Sequence, residues 1–183
     1  MRRGIGSEPP RRSYDGRMAE SWDGGDFERV AVDTVAAALP EADLDALRAS
    51  FDLIRASTRL VQRLEAEVLR DAGWSMAGFR VMFCVWVGGE LEPRDIARLS
   101  GLSRAAVSSV LNTLERDGLV ERHRESDDRR LVTVRLTPDG SRRLVDAYRR
   151  QNEVERGFFG SLSAGEQRRL ARDLAGLLEH RPG

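Results

Sequence analysis

Between residues 103 and 112 the chain sets Ser103, Arg104, Ala105, Ser108 and Asn112 at spacings that fall on one side of a helix. Small hydroxyls, an amide and a guanidinium fork are the groups that hydrogen-bond base edges in a major groove, where Arg meets guanine bidentately. Arg104 is the first candidate for a base contact, and Asn112, one turn further along, for a base edge or a phosphate. More guanidinium groups follow at Arg122, Arg124, Arg129, Arg130 and Arg135. Arg129 or Arg130 suits a narrow minor groove, where negative potential concentrates. Asp128 beside them reads either as a support that holds a tip Arg by a charge-assisted hydrogen bond or as part of a solvated charge cluster.

Such groups need elements that hold them. Ile96, Ala97, Gly101, Val107 and Val110 supply the apolar and turn positions of two short helices crossing steeply, over about 93–99 and 104–117. The first helix needs a small residue at the crossing, the turn needs one that tolerates positive φ, and the second needs inward aliphatics. Ala97, Gly101 and Val107 meet those needs, and Ser103 is placed to cap the second helix. Any two short helices joined by Gly would give this pattern alone. The polar, Arg-bearing hairpin that follows, 119–124 and 131–136 around the turn 125–130, adds what a wing requires, with Val132, Val134 and Leu136 alternating against Thr133 and Arg135. Arg94 to Arg135 carries nine Arg against seven acids, a small local excess.

Around this unit the chain reads as helices. Residues 1–25 are rich in Gly, Pro, Ser and Arg and read as a disordered tail. Asp26 is placed to cap a short extra helix over 26–40, ended by Pro40. Over 41–71, Leu44, Leu47, Phe51, Ile54, Val61, Leu64 and Val68 form one stripe while Leu53 and Leu60 open a second, implying two burial partners. A nearly all-apolar helix spans about 75–87. Thr137 and Pro138 start a long helix to about residue 159, and Ser163 with Glu166 forms a capping box for a last one, striped by Leu170, Leu174, Leu177 and Leu178. Residues 179–183 read as a tail. The fold class is mainly α with a small β-wing: a winged helix-turn-helix over about 75–137, and a helical dimerisation region over about 41–71 and 138–178.

Composition bounds the function. All 30 cations are Arg, a bias that a GC-rich genome explains, and 30 acids cancel them, so affinity for nucleic acid has to come from local arrangement. Cys84 is the one cysteine, and with His123 and His180 as the two histidines neither a disulfide framework nor a zinc site is visible. The longest apolar run, Val81 to Val87, is far short of the ~20 residues of a membrane span. No apolar stretch follows Arg2 and Arg3, so no secretory signal is read and the cytoplasm is the expected compartment. Neither a phosphate loop, a His–carboxylate pair at ligand spacing nor a nucleophile elbow is present; an enzyme is not expected, nor a cofactor.

The order of elements, with Leu-Glu-Arg-Asp-Gly-Leu-Val-Glu-Arg at 114–122, Asp-Arg-Arg at 128–130 and Leu-Thr-Pro-Asp-Gly at 136–140, resembles the MarR family of regulators over about Leu44 to Leu178. The resemblance implies a ligand-responsive transcription regulator, usually a repressor, binding a pseudopalindromic duplex as a homodimer. It also implies interlocked first and last helices, recognition helices in successive major grooves, wings on flanking minor grooves, and a ligand pocket between the dimer interface and the DNA-binding lobe. Ser108 and Ser109 stand where members often carry Thr-Arg, and Thr113 where Arg is common. The extra N-terminal helix resembles an extension of urate-responsive members, but Arg80 replaces the acid of their pocket.

Trp74, Arg80, Trp86 and Tyr148 are candidates to line an effector pocket for a small anionic or aromatic compound, although large aromatics on core helices are also simply core. An Arg between Phe79 and Val81 needs an acidic partner or an anion. Two alternatives are a winged helix used only for protein contacts and a thiol-based redox regulator. Cys84, in an apolar helix without an adjacent cation, reads as inert.

Overall fold

The computed structural model describes residues 24–124 and 132–179. The chain divides into two compact units, Met1–Thr58 and Arg59–Gly183. Helix α1 covers Gly24–Ala38 and helix α2 Leu44–Leu64, the boundary falling within α2.

In the first unit Phe27 of α1 stacks on Phe51 of α2 with centroids 5.6 Å apart, and Val32 is buried. Asp43 caps α2, its Oδ1 accepting from the backbone N–H groups of Asp45 and Ala46 at 3.1 and 2.9 Å. Asp26 does not cap α1. The helix starts at Gly24, which puts Asp26 inside its first turn, where it pairs with Arg29 at 2.9 Å.

In the second unit α2 widens into a π turn, Glu65–Leu69, and ends with the turn Arg70–Ala72 at Gly73, whose φ of 75° stops the helix. Val68 and Leu69 are fully buried there. Helix α3, Met76–Gly88, is capped by Ser75, whose Oγ accepts from Gly78 N at 3.1 Å. Its Phe79, Val81, Met82 and Val85 form the centre of the core. Around them lie α4 (Pro93–Ser100), α5 (Arg104–Arg116) and α6 (Pro138–Phe158).

A three-stranded antiparallel sheet runs in the order β1-β3-β2, with β1 Glu90–Leu91, β2 Val120–Arg124 and β3 Val132–Leu136. Leu91 pairs with Val134 and Arg122 also with Val134, which is buried. Two residues after a Gly pair are too short for an alternating pattern, so β1 left no trace in the sequence.

Thr137 starts α6 as anticipated, its Oγ1 accepting from Gly140 N at 3.0 Å while donating to the Gly118 carbonyl at 2.7 Å. A Cβ at Gly140 would lie 2.0 Å from the Leu119 carbonyl oxygen, so the Leu-Thr-Pro-Asp-Gly run packs α6 directly on the backbone that enters β2. Helix α7, Ala164–Glu179, begins with the Ser163–Glu166 capping box: Ser163 N donates to Glu166 Oε2 at 2.7 Å and Glu166 N to Ser163 Oγ at 3.4 Å. No α7 residue is buried, and Leu177 and Leu178 are 66% and 87% exposed. Among the described residues no helix is long and apolar enough to cross a membrane.

Candidate nucleic-acid interface

Helix α4 begins with Pro93 and ends at Gly101, whose φ of 68° turns the chain toward α5. Ile96 and Ala97 are buried at the crossing, and from α5 Val107, Leu111 and Leu114 point inward. Ser103 has extended backbone and its Oγ accepts from Ala106 N at 3.1 Å, satisfying a first-turn donor of α5. With the inward face fixed by those aliphatics, Ser103, Arg104, Ala105, Ser108 and Asn112 all fall at exposed positions.

The guanidinium groups around this face are mostly engaged. Arg94 pairs with Glu92 at 2.8 Å, Arg98 with Asp95 at 3.1 Å and Arg116 with Asp117 at 3.1 Å. Arg135 donates to Glu121 at 2.7 Å, a bond that lowers the Glu121 carboxyl below its usual range, with the charges of Arg135 and His123 adding to it. Arg122 reaches back to α5, where its Nη2 donates to Asn112 Oδ1 at 2.7 Å and its Nη1 lies 3.1 Å from Glu115. Arg104 has no such partner. It is the one guanidinium among the described side chains from Ser75 to Thr137 that is bonded to neither an acid nor a carbonyl.

The structure therefore brings Asn112 and Arg122 together as a pair joining helix and wing. Sequence reasoning placed both as separate DNA contacts, because two residues ten positions apart show no pairing signal until the hairpin folds back. Arg124 ends β2. Asp128, Arg129 and Arg130 lie outside the described residues. A further tie that the sequence did not reveal is the hydroxyl of Thr133 donating to Glu90, which fastens β3 to β1.

Among the cavities formed by described residues, Trp86 and Trp74 border different ones, and neither Arg80 nor Tyr148 borders either. Trp86 and Tyr148 pack with Phe83 at centroid separations of 5.8 and 5.5 Å. Trp86 borders a cavity of about 440 Å³ formed with Glu121, Arg135 and the start of α6. Trp74 borders a separate one of about 250 Å³, and the Arg143 guanidinium lies 5.5 Å from its ring centroid. Arg80 requires correction: it is exposed, and its Nη2 donates to the Ser100 carbonyl at the end of α4. A helix C-terminus is a partial negative charge with unpaired carbonyls, so it satisfies the guanidinium without an acid or an anion. Arg80 also lies one turn before Cys84, so a cation is in fact near that thiol. Burial nevertheless dominates and raises the Cys84 pKa, with the Arg80 charge opposing it more weakly.

Comparison with known proteins agrees with this geometry. A profile described as the MarR family matches residues 74–132. YwaE of Bacillus subtilis (strain 168), an uncharacterised HTH-type transcriptional regulator, is 34% identical over 128 residues, 70% of this chain and 75% of that protein. BpsR of Bordetella bronchiseptica, whose DNA binding is regulated by 6-hydroxynicotinic acid, superposes with a TM-score of 0.66 at 23% identity over 72% of this chain and 99% of that one. A mutant MarR from E. coli complexed with operator DNA gives 0.65 at 20% identity over 79% and 97%. Those two structures speak for the fold, whereas the profile and the identity to YwaE speak for descent: the chain belongs to the MarR family of DNA-binding transcriptional regulators.

Proposed function

We propose that the chain is a ligand-responsive repressor that binds a pseudopalindromic operator as a homodimer in the cytoplasm, with one α5 helix in each of two successive major grooves. The observation that carries this reading is Arg104: an exposed fork on the first turn of the capped α5, left unpaired where the other described guanidinium groups of the winged helix are engaged. Ser103, Ala105 and Ser108 would read base edges beside it, Arg122 and Asn112 would meet phosphate or a base edge from their shared bond, and Arg124, Arg129 and Arg130 would follow the minor groove, Asp128 steadying the tip.

Dimerisation through about 41–71 and 138–178 is supported by apolar surface with nothing on it: Ile54 at 64% exposure on α2, and the Leu177–Leu178 end of α7. A small aromatic or anionic effector is supported by the Trp86–Tyr148 cluster beside its cavity and by the regulation of BpsR. Such a ligand would shift the population toward dimers whose recognition helices no longer match grooves ~34 Å apart.

Sedimentation gives the dimer, and selection of bound fragments from the source genome gives the operator. Affinity for that operator should fall steeply with salt, with a log-log slope of about −0.9 per neutralised phosphate. A monomer, or equal and salt-insensitive retention of every duplex, overturns the reading; the second result is what a protein-contact module would give.

A further inference from the structure

Arg80 is exposed on α3, and its guanidinium ends at the turn that joins α4 to α5. Its Nη2 donates to the carbonyl of Ser100, the last residue of α4, where helical geometry supplies no donor. A Cβ built on Gly101 would lie 3.1 Å from the same nitrogen, so the guanidinium also sits against the left-handed residue of the turn. Among the described residues Arg80 has no carboxylate partner; the partial negative charge at the end of α4 takes that place. Ser100 is buried, and its hydroxyl oxygen accepts from Leu102 N at 3.4 Å. Leu102 packs against the core. The turn is thus held from inside by an apolar side chain and from outside by one fork, and it leads directly into Ser103 and Arg104.

We propose that Arg80 is a positioning residue for DNA binding: by clamping the Ser100–Gly101 turn to α3 it sets the angle at which α5 presents Arg104, without touching DNA itself. Val107, Leu111 and Leu114 seat α5 in the core, and Arg122 holds Asn112 further along. All of those contacts lie after Arg104, whereas the Arg80 bond fixes the chain just before it. A group that reads a base edge has to be held to within about 0.5 Å of its productive position. Loosening the turn should therefore cost specific binding more than non-specific binding, which rests on phosphate contacts. The effect on the operator rests on the proposed function; the clamp does not.

The test compares three variants of the full ¹⁵N-labelled chain: Arg80→Ala; Arg80→Met, which keeps the stem and loses the donor; and Arg80→Lys, a shorter cationic donor. Backbone order parameters of Gly101, Leu102 and Ser103 should fall from the rigid ~0.85 toward ~0.6 in the Ala and Met variants and stay near wild type in Lys. Operator affinity should drop about tenfold in Ala and Met and recover to within about threefold of wild type in Lys. Affinity for non-specific duplex should change by less than about threefold, and the log-log salt slope should stay as in wild type, because no phosphate contact is lost. Melting curves establish that each variant is folded, as expected for an exposed position. Operator affinity unchanged in folded Arg80→Ala and Arg80→Met, or unchanged order in the turn, overturns the inference. So does a salt slope shallower by about 1 with equal losses on every duplex, which is what a direct phosphate contact gives. A chain whose turn loosens but which binds no duplex keeps the clamp and removes the proposed function, so the two failures are separable.

Discussion

Arg122 donates to Asn112 across 2.7 Å while facing Glu115 at 3.1 Å, so one side chain of β2 fastens the wing to the recognition helix. The pair is partly solvent-exposed, and its contribution to stability should be small, within about 1 kcal/mol. Its removal should be felt in DNA binding, because wing and helix must present their contacts in fixed relation. Arg122→Ala is expected to weaken operator affinity by about 1 kcal/mol, and a double-mutant cycle with Asn112→Ala should show the two losses to be non-additive. Fluorescence anisotropy on a labelled duplex measures both.

Arg104→Ala should be the most damaging single change on the face of α5, lowering operator affinity by about 1–3 kcal/mol. If the fork reads a base, discrimination against operators altered at one position disappears. If it touches phosphate, the salt slope becomes shallower by about 1 and all sequences lose affinity alike. Affinity unchanged on every duplex would remove Arg104 from the interface.

Gly140→Ala tests the packing of α6 on the strand entry. A methyl group 2.0 Å from the Leu119 carbonyl forces backbone to move, and the neighbouring Leu119 and Val120 are fully buried. Urea unfolding should show a loss of about 3 kcal/mol or more. Gly101→Ala should cost less, about 1 kcal/mol, from its φ of 68° and the Arg80 guanidinium 3.1 Å from the added carbon.

The capping box of α7 predicts a pH dependence. The Ser163 hydroxyl, and then its backbone N–H, donate to Glu166 and hold its carboxyl below the usual range. The folded chain thus binds that proton less readily than the unfolded one. The stabilisation is complete above the unfolded value of about 4.3 and is lost as pH falls through the lower folded value. The stability difference between wild type and Glu166→Gln should therefore be constant near neutrality and shrink below about pH 4. A difference that grows on acidification would contradict the assignment.

How far these features were legible in sequence follows from how local their causes are. Ser103, Thr137 and Ser163 announce helix starts through side chains that bond three residues ahead, and Gly101 announces a turn through its own φ. The inward set of Val107, Leu111 and Leu114 repeats at helical spacing. By contrast, the partners of Arg80 and Arg122 lie twenty and ten positions away, and no spacing rule connects them. The π turn at Glu65–Leu69, where Val68 and Leu69 are fully buried, was equally hidden, since its sequence is an ordinary helical one. Asp26 lies within α1 and not ahead of it, which its residue type alone does not distinguish.

The carboxylates that engage Arg94, Arg98, Arg116, Arg122 and Arg135 have a bearing on how the molecule finds its target. A protein that meets millions of irrelevant base pairs for every correct one is slowed by each cation that grips phosphate indiscriminately. Cations already paired with acids have less charge to give to phosphate, so the pairs should shorten the dwell on non-operator sequence. Glu115→Gln, which would unleash Arg122, should make it linger on genomic DNA at large and so search more slowly for the one address it serves.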